Sequence, residues 1–171
     1  MRAKTVKPDT FQDFYESAPA EIKDYIDRCV DTPQSTEWHP EGNCGAHINI
    51  VFNRARNTGD IDLMLAAFFH DLGKVDTTKA HPSGEKGRWS AKAHEIVSAR
   101  LVEKYRNWIE DLGGNYEKIY YIVAQHMRAK QEHVMRSSKR EELRKHPYYK
   151  DVKHFSELDD MQDLSLDDIN S

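Results

Sequence analysis

Apolar residues recur at three- and four-residue intervals along most of the chain, while strict apolar/polar alternation is nearly absent, a pattern that predicts an all-α fold. Ser17 is expected to cap a helix with Pro19 in its first turn; Ile22, Tyr25, Ile26 and Cys29 form its stripe, and Thr32-Pro33 ends it. The turn-rich stretch TPQSTEWHPEGNCG leads into a helix carrying His47, Ile50, Val51 and Ala55 that closes near Gly59. Asp60 caps the next helix, IDLMLAAFFHDL, which stops at Gly73, and KVDTTKAHPSGEKGRW reads as a long polar loop. Ser90 is then expected to cap one helix over AKAHEIVSARLVEKYRNWIEDL, closed by Gly113-Gly114, and Asn115 starts another that runs to about Met127. Ser138 and Glu141 make a capping-box pattern, Pro147 suits the first turn of a last long helix, and the acidic tail from Ser165 is expected to fray. No internal repeat or linker interrupts the pattern, so residues 1–171 are expected to form a single domain.

The same helical spacing sorts the nine histidines. A residue whose neighbours three, four and seven positions away are apolar belongs to the core-facing stripe of its helix. His47 shares its face with Ile50 and Val51, and His70 follows Leu63, Ala66 and Ala67. His94 precedes Val97 and Leu101, and His126 follows Ile119, Ile122 and Val123. Four inward histidines on successive helices, one followed directly by Asp71, imply a common centre, because buried polar groups are costly without a partner. His81, His133, His146 and His154 stand in polar contexts and are expected to face solvent. On the last helix Asp159 continues the stripe of Val152 and Phe155, whereas Asp160 lies about 100° further round. Asp159 is therefore preferred as an additional carboxylate.

Composition limits what such a centre serves. The formal charge of −4 offers no broad basic field for an extended nucleic acid, although a local cationic pocket for a small anion is compatible with it. Two cysteines, Cys29 and Cys44, are too few for a disulfide scaffold, and the N-terminus lacks the apolar core of a signal peptide. No apolar run reaches the roughly 18 residues of a membrane span, so the expected compartment is the cytoplasm. Tyr105, Trp108, Tyr120 and Tyr121 sit at helical spacing and read as core rather than as a base-stacking platform. The basic run MRSSKREELRKH reads as a solvated helix face.

Imidazoles with carboxylates are the donor set of Zn, Fe, Mn, Co or Ni, with Mg less favoured as nitrogen ligands accumulate. Six ligands exceed the needs of one catalytic ion that keeps a position open, which makes two ions reasonable, with Asp71 the natural bridge. The order His47, His70-Asp71, His94, His126, Asp159, with the strings HPEGNCGAH, LAAFFHDLGK, AKAHE and AQHM, resembles the HD-domain metal-dependent phosphohydrolases. Locally it is similar to the HD domain attached to bacterial tRNA nucleotidyltransferases, without any nucleotidyltransferase domain. The resemblance covers Trp38 to Asp163 and implies a compact multi-helix bundle around a buried metal centre. It implies one divalent ion on His47, His70, Asp71 and Asp159, and a second on His94 and His126 that shares Asp71. Small stand-alone HD proteins occur in bacteria and tailed phages, which would place a viral one in the host cytoplasm.

What the resemblance further implies is hydrolysis of a phosphomonoester or phosphodiester on a nucleotide or a nucleic-acid terminal phosphate, with Asp71 holding a hydroxide activated by the two ions. Lys74, one short turn after the metal pair, is the first candidate to bind the remaining phosphate charge. Arg88, Arg128 and Lys130 are further substrate-binding candidates, and His39 and Glu41, in the loop before the His47 helix, are candidates either to support the ligands from behind or to give a proton to the leaving group. Two other readings fit the same ligands: a mixed-valence di-iron oxygenase, and a nucleotide-binding module without turnover.

Overall fold

The computed structural model of the chain describes residues 7–162 together with 164, 165 and 168. Helices dominate as expected: α1 (Phe11–Ser17), α2 (Ala20–Cys29), α3 (Cys44–Thr58), α4 (Ile61–Phe69), α5 (Lys74–Thr77), α6 (His94–Lys104), α7 (Arg106–Asp111), α8 (Tyr116–Lys130), α9 (Ser137–Lys145) and α10 (Tyr149–Leu158). A small antiparallel hairpin, β1 (Thr78–Ala80) with β2 (Trp89–Ala91), and a 3₁₀ turn over Glu132–Val134 complete the described elements. Among the described residues no helix is long and apolar enough to cross a membrane.

The bundle is built around α4. Asp60 caps it by accepting from the Asp62 and Leu63 amides, and every residue from Asp62 to Phe69 is buried, so the helix packs on all sides, against α3, α6, α8 and α10. Asp62, the polar exception, accepts from the Asn115 amide at 2.7 Å and pairs with Lys118 at 3.4 Å, which ties the start of α4 to the start of α8. At one end of the core Phe11, Phe14, Phe52, Phe68 and Trp108 meet in edge-on and tilted contacts, with ring centroids 5.0–6.4 Å apart. Gly59 closes α3 with φ 76° and Asn115 caps α8, as the pattern predicts, while the cap of α3 is Asn43, which accepts from the Ala46 amide.

Several boundaries differ. Ser17 ends a helix instead of starting one: Thr10 and Asp13 form a reciprocal capping box that nucleates α1, and α2 begins after Pro19. The stretch read as a polar loop holds α5 and the hairpin. Ser90 lies in β2 and caps nothing; α6 starts at His94, preceded by Ala93 in the left-handed region at φ 62°. The single long helix expected there breaks at Tyr105 into α6 and α7. α8 runs on to Lys130. Arg136, not Ser138, precedes α9, without a side-chain cap, and Pro147 lies just outside α10. The acidic tail, 164–171, lies mostly outside the described residues. One described member, Asp168, is held by the Arg54 guanidinium at 2.7 and 3.0 Å, so it is not frayed at that point.

Candidate metal centre

Five chain segments converge on one buried point, and most of them deliver their residue at a helix end. His47 sits in the first turn of α3, just after the Asn43 cap. His70 terminates α4, its amide still bonded to the Ala66 carbonyl at 2.9 Å, and Asp71 follows in the turn. His94 opens α6, His126 lies on the inner face of α8, and Asp159 closes α10. All six are buried. Asp160 is exposed on the neighbouring wall.

Hydrogen bonding fixes which ring nitrogens face inward. The Nδ1 atoms of His70, His94 and His126 lie 2.8, 2.9 and 2.6 Å from the carbonyl oxygens of Ala67, Ala91 and Val123. A carbonyl only accepts, so each Nδ1 carries a proton and Nε2 is the nitrogen turned inward, free to present a lone pair whenever the ring is neutral. His47 donates Nδ1 in the same way to the Glu41 carboxylate at 3.0 Å, and His39 donates to the same oxygen at 2.9 Å. This is the outer support that metal-bound imidazoles require.

The inward lone pairs form two sets that meet at Asp71. In the first, His47 Nε2 and His70 Nε2 are 3.2 Å apart and each lies 3.2 Å from Asp71 Oδ2, while Asp159 Oδ1 is 2.7 Å from His47 and 3.2 Å from His70. In the second, His94 Nε2 and His126 Nε2 are 3.1 Å apart and lie 3.0 and 3.5 Å from Asp71 Oδ1. Within each set the donor atoms fall within 4.8 Å of one another. So many acceptors at contact distance repel unless a cation sits among them, so the donor chemistry fits a divalent metal.

Charge in the metal-free centre follows from the same contacts. Burial opposes ionisation of His70, yet the Asp71 and Asp159 carboxylates overcome it and push the imidazole up to about 9. His126 is taken down to about 4 by burial. Burial also works against the Asp71 and Asp159 carboxylates, but His70 and Lys74 hold the first, and Lys130 and His70 the second, well below the usual range. A proton on His70 is thus the metal-free substitute for a cation.

A cleft of about 780 Å³ opens onto the centre, and His39, Lys74, His94, Lys130 and Asp159 are among its walls. Lys74 is buried, with Nζ 2.5 Å from Gln34 Oε1 and 3.0 Å from Asp71 Oδ2. Lys130 reaches Asp159 Oδ2 at 2.6 Å. Arg88 is not brought to the cleft: it pairs with Glu85 at 3.3 Å in the hairpin loop. Arg128 is exposed outside it. His133 is exposed, as expected, and also lines the cleft, whereas His146 stacks on Tyr121 at 3.7 Å rather than standing free. The basic run is not simply solvated, because Arg140 donates to the carbonyls of Glu132, His133 and Met135. Gln34, Trp38 and Trp89 were not singled out by periodicity, since all three belong to irregular or hairpin segments. Trp38 next to His39 and the turn-rich sequence around it were the available signals.

The sequence model of the family described as HD domain matches residues 47–162. Among curated proteins, the Multifunctional CCA protein of Dechloromonas aromatica is 36% identical over 88 residues, 51% of this chain and 20% of that protein. That of Vibrio campbellii is 34% identical over 104 residues, 58% of this chain and 24% of the relative, and that of Methylobacillus flagellatus 40% over 57 residues, 33% and 14%. The chain spans about a quarter or less of the length of these relatives. No solved structure matches it.

Proposed function

The chain belongs to the HD domain family, and on that basis we propose that it is a metal-dependent phosphohydrolase, a phosphatase or phosphodiesterase acting on a nucleotide or a nucleic-acid terminal phosphate. The observation that carries this reading is the division of Asp71: Oδ2 faces His47 and His70, and Oδ1 faces His94 and His126. His47, His70, Asp71 and Asp159 would hold one divalent ion, and Asp71, His94 and His126 a second. Two such ions lower the pKa of a bound water and neutralise charge building on phosphoryl oxygens.

The chain's own residues supply the rest. The Lys74 ammonium has three donors, of which Gln34 and Asp71 take two, leaving one for a phosphoryl oxygen. Lys130, part-exposed above Asp159, adds a second cation on the same cleft. Burial lowers His39 and favours its neutral form, and with its Nδ1–H donating to Glu41 its Nε2 is the nitrogen left to exchange a proton at the cleft, taking one from water and returning it to the leaving oxygen. Exposed Trp38 and Trp89 stand where a base would stack. The resemblance to the domain carried by tRNA nucleotidyltransferases supports including nucleic-acid ends among the substrates.

Metal analysis followed by an anaerobic phosphate-release screen tests the reading, over nucleotides, cyclic nucleotides and 2′,3′-cyclic RNA ends with Mn, Mg, Fe, Co, Ni and Zn. Release that persists without O₂ and disappears in Asp71→Asn supports it. Turnover that needs O₂ would make the protein an oxygenase, and unchanged release in Asp71→Asn would refute the site.

A further inference from the structure

A second hollow, of about 510 Å³, adjoins the cleft and shares with it Lys130, His133 and Ser156. Its remaining walls carry Glu132, Arg140, Arg144 and Lys153. The Glu132 carboxylate is buried and receives Arg144 Nε at 2.8 Å, Lys153 Nζ at 3.2 Å and the Tyr149 hydroxyl at 2.7 Å. One carboxylate therefore faces two cations, and Arg140, bonded only to carbonyls, has no acidic partner among the described residues. Arg144 commits only Nε, so its two Nη groups remain for a bidentate acceptor. Arg144 and Lys153 are each about half exposed, 56% and 47%. In a chain of net charge −4 this local excess of positive charge does not follow from composition.

We propose that this basic hollow is a subsite for a second phosphate of the substrate, one linkage removed from the phosphate held at the metal centre. The inference rests on the phosphohydrolase reading for the first phosphate. Buried Glu132 fixes the cations in place, and Lys130, common to both spaces, marks the path between them. The preferred substrate is accordingly a nucleic-acid end or another nucleotide with two phosphates, and a nucleoside monophosphate fills only half the site.

Equilibrium binding to the metal-loaded and the metal-free protein separates this inference from turnover. The probes are a 3′-phosphorylated nucleoside, the corresponding 3′-phosphorylated dinucleotide and a nucleoside diphosphate, each with all four bases. At least one two-phosphate probe is expected to bind about tenfold tighter than the monophosphate, the worth of one charge-assisted hydrogen bond. Preference for the dinucleotide identifies a nucleic-acid end, and preference for the diphosphate a nucleoside polyphosphate. In Arg144→Gln/Lys153→Gln the advantage should fall to near unity with monophosphate affinity unchanged. Lys153→Gln alone, which leaves Arg144 and Tyr149 on Glu132, serves if the double variant does not fold. Equal affinities in the wild type, or an advantage that survives these substitutions, would overturn the subsite. A binding preference without phosphate release would leave the subsite standing and remove the hydrolase reading instead.

Discussion

Gly73 lies so close to His94 that a Cβ atom on it would sit 2.1 Å from the His94 carbonyl oxygen. The turn carrying Asp71 and the start of α6 are thereby pressed together, with the Gly73 amide donating to Ser98 Oγ at 2.8 Å. Gly73→Ala should force them apart at a cost of about 1–3 kcal/mol. Chemical denaturation of the metal-free protein measures it, and an unchanged midpoint would contradict the contact.

The two ligand sets should be separable by substitution. His94→Ala is expected to keep about one tightly held ion on His47, His70, Asp71 and Asp159, whereas Asp71→Ala should empty both positions. Metal content after dialysis against a weak chelator decides between this and a single shared ion, for which both variants would behave alike.

Glu41 accepts from both His39 and His47 and makes no contact of its own with the inward lone pairs. Glu41→Ala should lower metal affinity about 10- to 100-fold through loss of the His47 orientation. Competition with a chromogenic chelator reads the change, and native affinity in the variant would show that His47 needs no such anchor.

Stability should respond to pH in opposite ways with and without metal. His70 is raised to about 9 from 6.5, so its charge contributes stability that is fully present below pH 6.5 and lost as pH rises through 9. Bound metal displaces that proton, so affinity strengthens over the same window. Thermal midpoints of chelated and metal-loaded protein should therefore diverge as pH rises, and a constant gap would mean that His70 is neutral in the metal-free chain.

The stripes on α3, α4, α8 and α10 were legible in sequence because each inward residue shares a face with several apolar ones, and even Asp159 against Asp160 follows from that geometry. Val97 and Leu101 turn His94 inward even though its helix opens only at His94 itself. The cap pattern around Ser90 suggests an earlier start, but β2 pairs with β1 and uses those residues as strand. The break at Tyr105 carries no Gly or Pro, so local propensity continues through it, and only packing turns the chain there. Arg88 and Arg128 are close to the inward histidines in sequence yet lie outside the cleft, whereas Gln34 joins it through the Lys74 ammonium, 40 positions away, a contact that no periodicity records.

His47 and Asp159 meet at 2.7 Å across a separation of 112 positions, and the other inward groups, His70, Asp71, His94 and His126, all lie between them. An ion held there would act as a reversible cross-link, fastening the beginning of the centre to its end as a disulfide would, but removable by a chelator. Partly folded chains could not assemble it, so metal occupancy would report on the integrity of the whole bundle, and the lifetime of the folded chain would follow metal supply through mass action.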